Sequence, residues 1–255
     1  TGGRVTLDEL HEEWYAEAEK GKPRFRKELP ATTSRKMFLG NGGRNGAEDL
    51  IERIRDYEEN HSDQLRPTLS ALARDGQVPK EMFVTCCDSR VLPHQFTSSG
   101  PGDLFKIRNI GNMVPRNGEG SSVGAAVEYA VSVLGVERIV VCGHSSCGAM
   151  NALLDGTSNL PYENLKHWLS LGERTLIGFR AQPTIAAGRK PVDQLSLVNV
   201  VEQLDNLMTY DVVKTGVEAG SLSILGLFFD IDEARVYIYD SDQKRFLTVD
   251  EIPEA

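Results

Sequence analysis

The sequence lacks any apolar run that approaches the length of about eighteen residues needed for a membrane-spanning helix. Its first residues also lack the basic and then apolar pattern of a secretory signal peptide. We therefore expect no membrane segment in this chain and a location in the cytoplasm or another reducing compartment. The chain begins with Thr1 rather than Met, so an organelle stroma or matrix is the alternative if a transit peptide has been removed.

Basic residues are the minority among the charged side chains, with 28 Lys and Arg against 37 Asp and Glu and a net charge of −9. Nucleic acids and anionic membrane surfaces are bound through basic patches. The charge balance therefore argues against both as partners. With 40% apolar residues in a chain of 255, the sequence can bury the core of one large domain.

Cysteine is also scarce, with four in the whole chain, all between positions 86 and 147. Such spacing does not resemble the disulfide framework of a small secreted protein. Three of the four lie in two short motifs, Cys86-Cys87-Asp88-Ser89-Arg90 and His144-Ser145-Ser146-Cys147-Gly148. Each motif follows a short apolar run of the kind that forms a buried parallel strand. This arrangement favours a metal site in a reducing compartment over cross-linking.

Strands alternate with helices through the middle of the chain, which predicts an α/β fold. We predict a mostly parallel sheet, with four parallel strands and an antiparallel edge strand, flanked by helices. The predicted strands are Met82–Thr85, Leu104–Ile107, Arg138–Cys142, Leu222–Phe229 and the antiparallel Arg235–Tyr239. The predicted helices are Ala47–Tyr57, Ser62–Arg74, Ser121–Leu134, Cys147–Leu154, Pro161–Arg180 and Val192–Gly216.

Apolar residues at helical spacing also predict an amphipathic helix over Leu7–Lys20, closed by Pro23. We predict an N-terminal helical arm and loop over residues 1–45 and a single α/β domain over residues 46–255. Two interpretations of the helix stay equally open. It is either a surface helix of its own domain or an arm packed on a neighbouring subunit, because Trp14 and Tyr15 favour a partner surface.

Ligands bind outside the carboxyl ends of the strands in open α/β sheets, so the two motifs should meet at one place. Cysteine and histidine are the preferred ligands of zinc, and a catalytic zinc site keeps three protein ligands and one open position. Cys86 and Cys87 should point to opposite faces, and position alone does not choose between them. Cys142 lies on the strand and is expected to be a buried apolar residue. The alternatives are unrelated core residues or a closed structural zinc site with Cys87 or Cys142 as fourth ligand.

Asp88 and Arg90 form the second informative pair in the first motif. An arginine guanidinium can hold a carboxylate through two hydrogen bonds, and that carboxylate can orient a hydroxide bound to the metal. The competing interpretation is a weak salt bridge that caps a turn. His94 is close in sequence, but a lone loop histidine is more typical of a solvated side chain than of a proton shuttle.

With both motifs identified, the chain closely resembles the β-class carbonic anhydrases from about Gly46 to Phe246. The resemblance is carried by Cys86-x-Asp88-Ser89-Arg90 and His144-x-x-Cys147-Gly148. Supporting segments are Gly102–Phe105, Arg108–Asn112 and Ala125–Ala130. Phe83 occupies the position at which a second subgroup carries a tryptophan linked to a bicarbonate regulatory site. The resemblance therefore implies a plant-type pocket without that regulation.

The resemblance implies one zinc ion per chain, held by Cys86, His144 and Cys147, with Asp88 and Arg90 as the catalytic dyad. It implies an obligate homodimer, with a tetramer or larger assembly as a further expectation, and an active site at the subunit interface. In this picture Phe105 and Tyr129 reach the pocket from the partner subunit. The implied substrate-binding residues are Gln77, Phe105, Ile110, Tyr129 and Gly148.

The activity implied by the resemblance is the reversible hydration of CO2 to bicarbonate and a proton, through attack by zinc-bound hydroxide. Two alternatives stay open on the sequence. The same scaffold could hydrolyse carbonyl sulfide or carbon disulfide, which need the same nucleophile. The chain could also be a catalytically silent scaffold within a larger protein, although its complete set of ligand and dyad residues argues against silence.

Overall fold

The computed structural model describes residues 46–119, 122–181 and 188–252. The predicted helix over Leu7–Lys20 and the loop after it lie outside these residues. The chain divides into two units, residues 1–55 and 56–255. The predicted boundary after residue 45 stays a prediction.

The helices of the described chain precede, separate and follow the parallel strands. They are α1 (Gly46–Asn60), α2 (Ser62–Asp75), α3 (Pro93–Phe96), α4 (Ser122–Tyr129), α5 (Gly148–Asp155), α6 (Glu163–Ser170), α7 (Glu173–Ala181), α8 (Pro191–Leu207) and α9 (Asp211–Glu218). A π-helical turn, Ala130–Leu134, continues α4, and single 3-10 turns cover Ile110–Asn112, Thr157–Asn159 and Val249–Glu251. None of the described helices has both the length and the apolar character that crossing a membrane requires.

Six strands of the described residues form one mixed sheet, which confirms the predicted α/β fold. They are β1 (Glu81–Cys86), β2 (Leu104–Asn109), β3 (Arg138–His144), β4 (Ser223–Asp230), β5 (Arg235–Asp240) and β6 (Arg245–Thr248), in the order β2-β1-β3-β4-β5-β6. The first four are parallel, and β5 and β6 are antiparallel to their neighbours. The sequence predicts β5 as the edge strand, whereas in the structure β6 extends the sheet beyond it. β6 is only four residues long, and its two apolar residues, Phe246 and Leu247, are adjacent, so it lacks the alternation that marks a half-buried strand.

The two inner strands of the parallel part of the sheet, β1 and β3, carry the two motifs at their carboxyl ends. Both are buried along almost their whole length, as expected for continuous apolar runs in a parallel sheet. In the register between them Thr85 lies opposite Cys142, so Cys86 comes beside the last residues of β3. The hydroxyl of Thr85 donates a hydrogen bond to the carbonyl of Cys142 at 3.0 Å. This register delivers Cys86 and His144 to the same edge of the sheet.

The predicted helix over Pro161–Arg180 is wrong as a single element, because the structure divides it into α6 and α7. The break lies at Gly172, whose backbone packs tightly against its surroundings. A Cβ at this position would lie 2.6 Å from Cδ1 of Leu153 and 2.9 Å from Cε of Met113. Close packing of this kind depends on the missing side chain, and the helical periodicity of the sequence continues across the break without marking it.

The predicted helix over Val192–Gly216 is likewise two helices, α8 and α9, separated at Met208–Tyr210. The hydroxyl of Thr209 donates to the carbonyl of Asn206 at 2.6 Å, and the hydroxyl of Tyr210 donates to the carbonyl of Pro115 at 2.6 Å. Threonine hydroxyls compete in this way with the regular helical bonds. The tertiary contact of Tyr210 then redirects the chain, which no local pattern revealed.

Candidate metal centre and active site

Three sulfur and nitrogen donors converge at the carboxyl ends of β1 and β3. The donor atoms of Cys86, His144 and Cys147 all lie within 4.8 Å of one another, and all three residues are buried. Cys86 ends β1, His144 ends β3, and Cys147 lies just before the first turn of α5. The parallel register of the strands brings the two motifs together, as the sequence predicts.

The imidazole of His144 has the protonation pattern of a metal ligand. Its Nδ1 lies 2.9 Å from the carbonyl oxygen of Ser145, which can only accept, so Nδ1 carries the proton. Its buried Nε2 then presents a lone pair, and this atom has no hydrogen-bond partner in the described part of the chain. An unsatisfied buried acceptor is unfavourable, and a metal ion would satisfy it. The donors therefore fit zinc, which takes thiolate and imidazole ligands.

The two thiols of the group are electrostatically unequal. A hydrogen bond from Cys147 lowers the pKa of Cys86 to about 4, against the opposing effect of burial, with further support from the N–H of Gly111. The Gly111 nitrogen lies 3.5 Å from Sγ of Cys86. The same thiol pair, together with burial, raises the pKa of Cys147. Cys86 is therefore ready to act as a thiolate ligand.

The other two cysteines stay outside the donor group. Cys87 is exposed, and Cys142 is completely buried on β3. Burial raises the pKa of the Cys142 thiol to about 12, which makes it inert near neutral pH. The geometry thus chooses Cys86 over Cys87 and supplies three donors, rather than four, from the cysteines and histidines of the described residues.

Asp88 and Arg90 form a bidentate ion pair directly beside the donor group. Nε of Arg90 donates to Oδ1 of Asp88 at 2.9 Å, and Nη2 donates to Oδ2 at 2.7 Å. Oδ2 lies 4.0 Å from Nε2 of His144. The hydrogen bond from Arg90 holds the pKa of Asp88 well below the usual carboxyl range. Asp88 is therefore an ionised, oriented acceptor next to the donor group.

Arg108 also contacts the site, although in the sequence it is named only as part of a segment that supports the resemblance. From the end of β2 its guanidinium donates to the carbonyl of Cys86 at 2.9 Å and to that of Asp88 at 2.7 Å. These bonds hold the backbone of the first motif. The sequence feature that could have identified Arg108 as a site residue is its position near the carboxyl end of β2, the strand beside β1.

Two of the predicted pocket residues lie at the metal centre of their own chain. Ile110 begins the turn after β2, immediately before Gly111, and its carbonyl accepts a hydrogen bond from Nε1 of Trp168 at 2.8 Å. Its side chain is 42% exposed at the edge of the site. Gly148 follows Cys147 and starts α5.

The other three predicted pocket residues lie far from the metal centre of their own chain. Phe105 stands opposite Met82 in the sheet, and Met82 is four residues before Cys86, about 13 Å along the strand. The ring of Tyr129 lies with that of Phe105, with centroids 5.9 Å apart. Gln77 is exposed in the segment before β1. The structure therefore does not bring these three residues to the donor group.

A polar cavity of about 470 Å³ opens beside the dyad. It is lined by Arg90, by the two serines between His144 and Cys147, and by charged residues of the loops before α8 and after β4. Arg189, in this lining, donates to Asp230 at 2.5 Å. His94 lies exposed on α3 and does not line this cavity.

The family profile, the similar curated proteins and the similar solved structures are all carbonic anhydrases. The family profile described as Carbonic anhydrase matches residues 81–236. A carbonic anhydrase of Pseudomonas aeruginosa is 41% identical over 180 residues, covering 70% of this chain and 81% of the relative. The solved β-carbonic anhydrase CcaA is 34% identical, with a TM-score of 0.74 over 82% of this chain and 92% of that chain. A tetrameric β-carbonic anhydrase of Sordaria macrospora is 26% identical, with a TM-score of 0.66 over 75% of this chain and 95% of that chain.

Proposed function

This chain belongs to the β-carbonic anhydrase family, and from that premise we propose that it catalyses the reversible hydration of CO2 to bicarbonate and a proton. The observation that carries the proposal is the convergence of three buried donors within 4.8 Å beside an oriented carboxylate. The family membership supports an enzyme, and the complete set of these residues supports an active one rather than a silent scaffold.

Cys86, His144 and Cys147 would hold one zinc ion per chain. A zinc ion held by these residues would supply Lewis-acid chemistry, which in zinc enzymes lowers the pKa of bound water from 15.7 to about 7. Support comes from the unpartnered Nε2 of His144 and from the low pKa of Cys86. The backbone N–H of Gly111 also donates a hydrogen bond to the sulfur of Cys86, which stabilises the thiolate.

Asp88 orients the attacking oxygen nucleophile in this proposal. An ionised carboxylate can only accept hydrogen bonds, so it accepts one from the O–H of the nucleophile. This bond fixes the O–H direction and leaves an oxygen lone pair directed at the carbon of CO2. Arg90 fixes the carboxylate through two bonds and keeps it ionised. Proton acceptance by Asp88 is thereby disfavoured, and its role is positioning through a hydrogen bond.

We also propose that the working unit is a homodimer with shared active sites. Gln77, Phe105 and Tyr129 lie at the opposite end of the strands from their own metal centre, so they could reach one only in a second copy. Tyr129 and Val133 are 44% and 65% exposed on one helical segment, which supports an interface there. The Sordaria relative is a tetramer, and a larger assembly of this chain is a further expectation.

The working compartment is proposed to be reducing, either the cytoplasm or an organelle stroma or matrix. All four cysteines are free, and both ligand thiols must stay reduced to bind metal.

Stopped-flow CO2 hydration with zinc analysis of the same sample tests the proposal. We expect about one zinc per chain and rapid hydration at mildly alkaline pH. Zinc-loaded protein without hydration at any pH, but active on carbonyl sulfide or carbon disulfide, would redirect the proposal to those substrates. Reduced protein that binds no zinc would overturn it.

A further inference from the structure

Helix α8 carries an unusual row of buried polar side chains. Buried polar groups in proteins almost always have hydrogen-bond partners, so their bonds indicate what the row holds in place. The row consists of Asp193, Ser196, Asn199, Gln203 and Asn206, each at most 7% exposed. Successive members are three or four residues apart and therefore lie on one face of the helix.

The first two members of this row hold the loop between two metal ligands. Oδ1 of Asp193 accepts the backbone N–H of Ser146 at 2.6 Å, and the hydroxyl of Ser196 donates to the carbonyl of His144 at 2.9 Å. Ser146 has φ of 55°, in the left-handed region that non-glycine residues seldom adopt. An external partner is needed to hold such a residue, and Asp193 provides one.

The remaining members of the row bond to the segment from Gly111 to Val114, which lies beside Cys86, the third proposed ligand. Asn199 donates to the carbonyl of Gly111 at 3.0 Å, and the N–H of Gly111 faces the sulfur of Cys86. Oε1 of Gln203 accepts the N–H of Val114 at 2.7 Å, and Asn206 donates to the carbonyl of Val114 at 3.0 Å. One face of α8 thus contacts the backbone around both ligand motifs.

A glycine near the end of β3 makes room for this helix. A Cβ on Gly143, one residue before His144, would lie 2.7 Å from Cγ2 of Val200 and 3.0 Å from Oγ of Ser196. Glycine at this position allows α8 to approach the end of β3 closely enough for its polar row to reach the loop.

We infer that α8 positions the metal ligands through this row and that Asp193 is the positioning residue for the His144–Cys147 loop. The inference rests on the proposed zinc site. A charged acceptor suits the role because its bond to a backbone N–H is stronger than that of a neutral one. Arg90, Arg189 and Lys190 line the same cavity as Asp193 and offset its charge.

The test compares zinc retention in the full-length protein. Asp193→Ala removes the acceptor, Asp193→Asn keeps an acceptor oxygen for the Ser146 N–H, and Asp232→Asn is the control. Asp232 lines the same cavity, but its exposed side chain makes no hydrogen bond or ion pair in the described structure. The measurements are zinc dissociation to a chelator and the thiolate-to-metal absorption of the cobalt-substituted protein, with urea unfolding as the folding check.

We expect Asp193→Ala to release zinc about 10- to 100-fold faster, in line with the loss of a group that orients metal ligands. Its cobalt absorption should shift, Asp193→Asn should restore most of the retention, and Asp232→Asn should match the wild type. Should Asp193→Ala fail to fold, Ser196→Ala, which removes only a hydroxyl, is measured in the same way and should also release zinc faster.

Wild-type release rates and an unchanged cobalt spectrum in the folded Asp193→Ala protein would overturn the inference while leaving the zinc site intact. A wild-type protein that binds no zinc would instead overturn the proposed function. Faster release that Asp193→Asn does not restore would also contradict the role assigned to the acceptor oxygen.

Discussion

Arg90 donates a hydrogen bond to each carboxylate oxygen of Asp88, with Nε 2.9 Å from Oδ1 and Nη2 2.7 Å from Oδ2. The backbone N–H of Arg90 adds a third bond to Oδ1 at 3.0 Å. Every one of these bonds lies within a three-residue turn at the end of β1. The orientation of the carboxylate is therefore set by bonds within the first motif.

This geometry predicts the effect of Asp88→Asn. The amide is almost the same size but is neutral, and its nitrogen can only donate, so it cannot accept from the nucleophile or from the N–H groups of Arg90. We expect kcat for CO2 hydration to fall by about 100-fold, the scale on which enzymes lose rate when a reacting group is misplaced. Zinc content should stay at the wild-type level, because Asp88 lies outside the donor group. Stopped-flow rates beside metal analysis measure both, and wild-type kcat in the zinc-loaded variant would contradict the role of Asp88.

The unequal thiols predict one thiolate in the metal-free protein near neutral pH. The pKa of Cys86 is lowered to about 4, while those of Cys147 and Cys142 are raised. In a Cys87→Ser background, which removes the exposed thiol, ultraviolet thiolate absorbance at pH 7 should correspond to about one group and disappear as the pH falls through about 4.

Cys86→Ser in the same background is the control and should abolish that absorbance. Absorbance of two groups at pH 7, or of none, would show that the thiol pair does not share its proton as the geometry indicates.

The ion pair between Arg189 and Asp230 predicts a pH-dependent contribution to stability. Burial acts to raise the pKa of Asp230, but the hydrogen bonds from Arg189 and from two backbone N–H groups outweigh it, so this pKa is lowered. A lowered carboxyl pKa stabilises the fold above the unfolded value of about 3.9, and the contribution is lost as the pH falls through the folded value.

Arg189→Met should therefore lower the free energy of unfolding at pH 7 by roughly 2 kcal/mol, the scale of a hydrogen bond to a charged group. The difference from the wild type should begin to shrink as the pH falls below about 4, where Asp230 is protonated in the unfolded chains, and should be lost as the pH falls through the lowered pKa of the folded wild type. Urea unfolding at several pH values measures it, and Lys190→Met, which alters an exposed neighbouring cation, is the control. A loss that is the same at every pH would assign the effect to the stacking of Arg189 on Phe228 and Tyr237.

The proposed dimer predicts that a charge on the exposed helical segment will dissociate the protein. Val133→Arg places a guanidinium on a side chain that is 65% exposed in the isolated chain, near Tyr129. We expect the mass measured by light scattering to fall from that of a dimer or larger assembly toward a monomer, with loss of activity. Ile177→Arg, at a position 67% exposed on α7, should leave the mass unchanged. A wild-type protein that is monomeric and active would refute shared sites.

The sequence alone determined the α/β class and the placement of the two motifs at strand ends, because continuous apolar runs followed by polar residues identify buried parallel strands. It also determined which residue types could bind zinc, since Cys, His and the Asp88–Arg90 spacing lie within single motifs. These properties are set within short stretches of chain, so the order of apolar and polar residues in each stretch is enough to predict them.

The tertiary structure alone decided the properties that depend on residues distant in sequence. It selected Cys86 rather than Cys87 because the register of β1 against β3 directs only one of them to His144. It separated Gln77, Phe105 and Tyr129 from the metal centre of their own chain, and it broke two predicted helices at Gly172 and Thr209. It also brought the polar face of α8 to both ligand loops, about fifty to ninety residues away along the chain. Each of these depends on a packing contact between distant segments, and the local periodicity of a sequence does not encode such contacts.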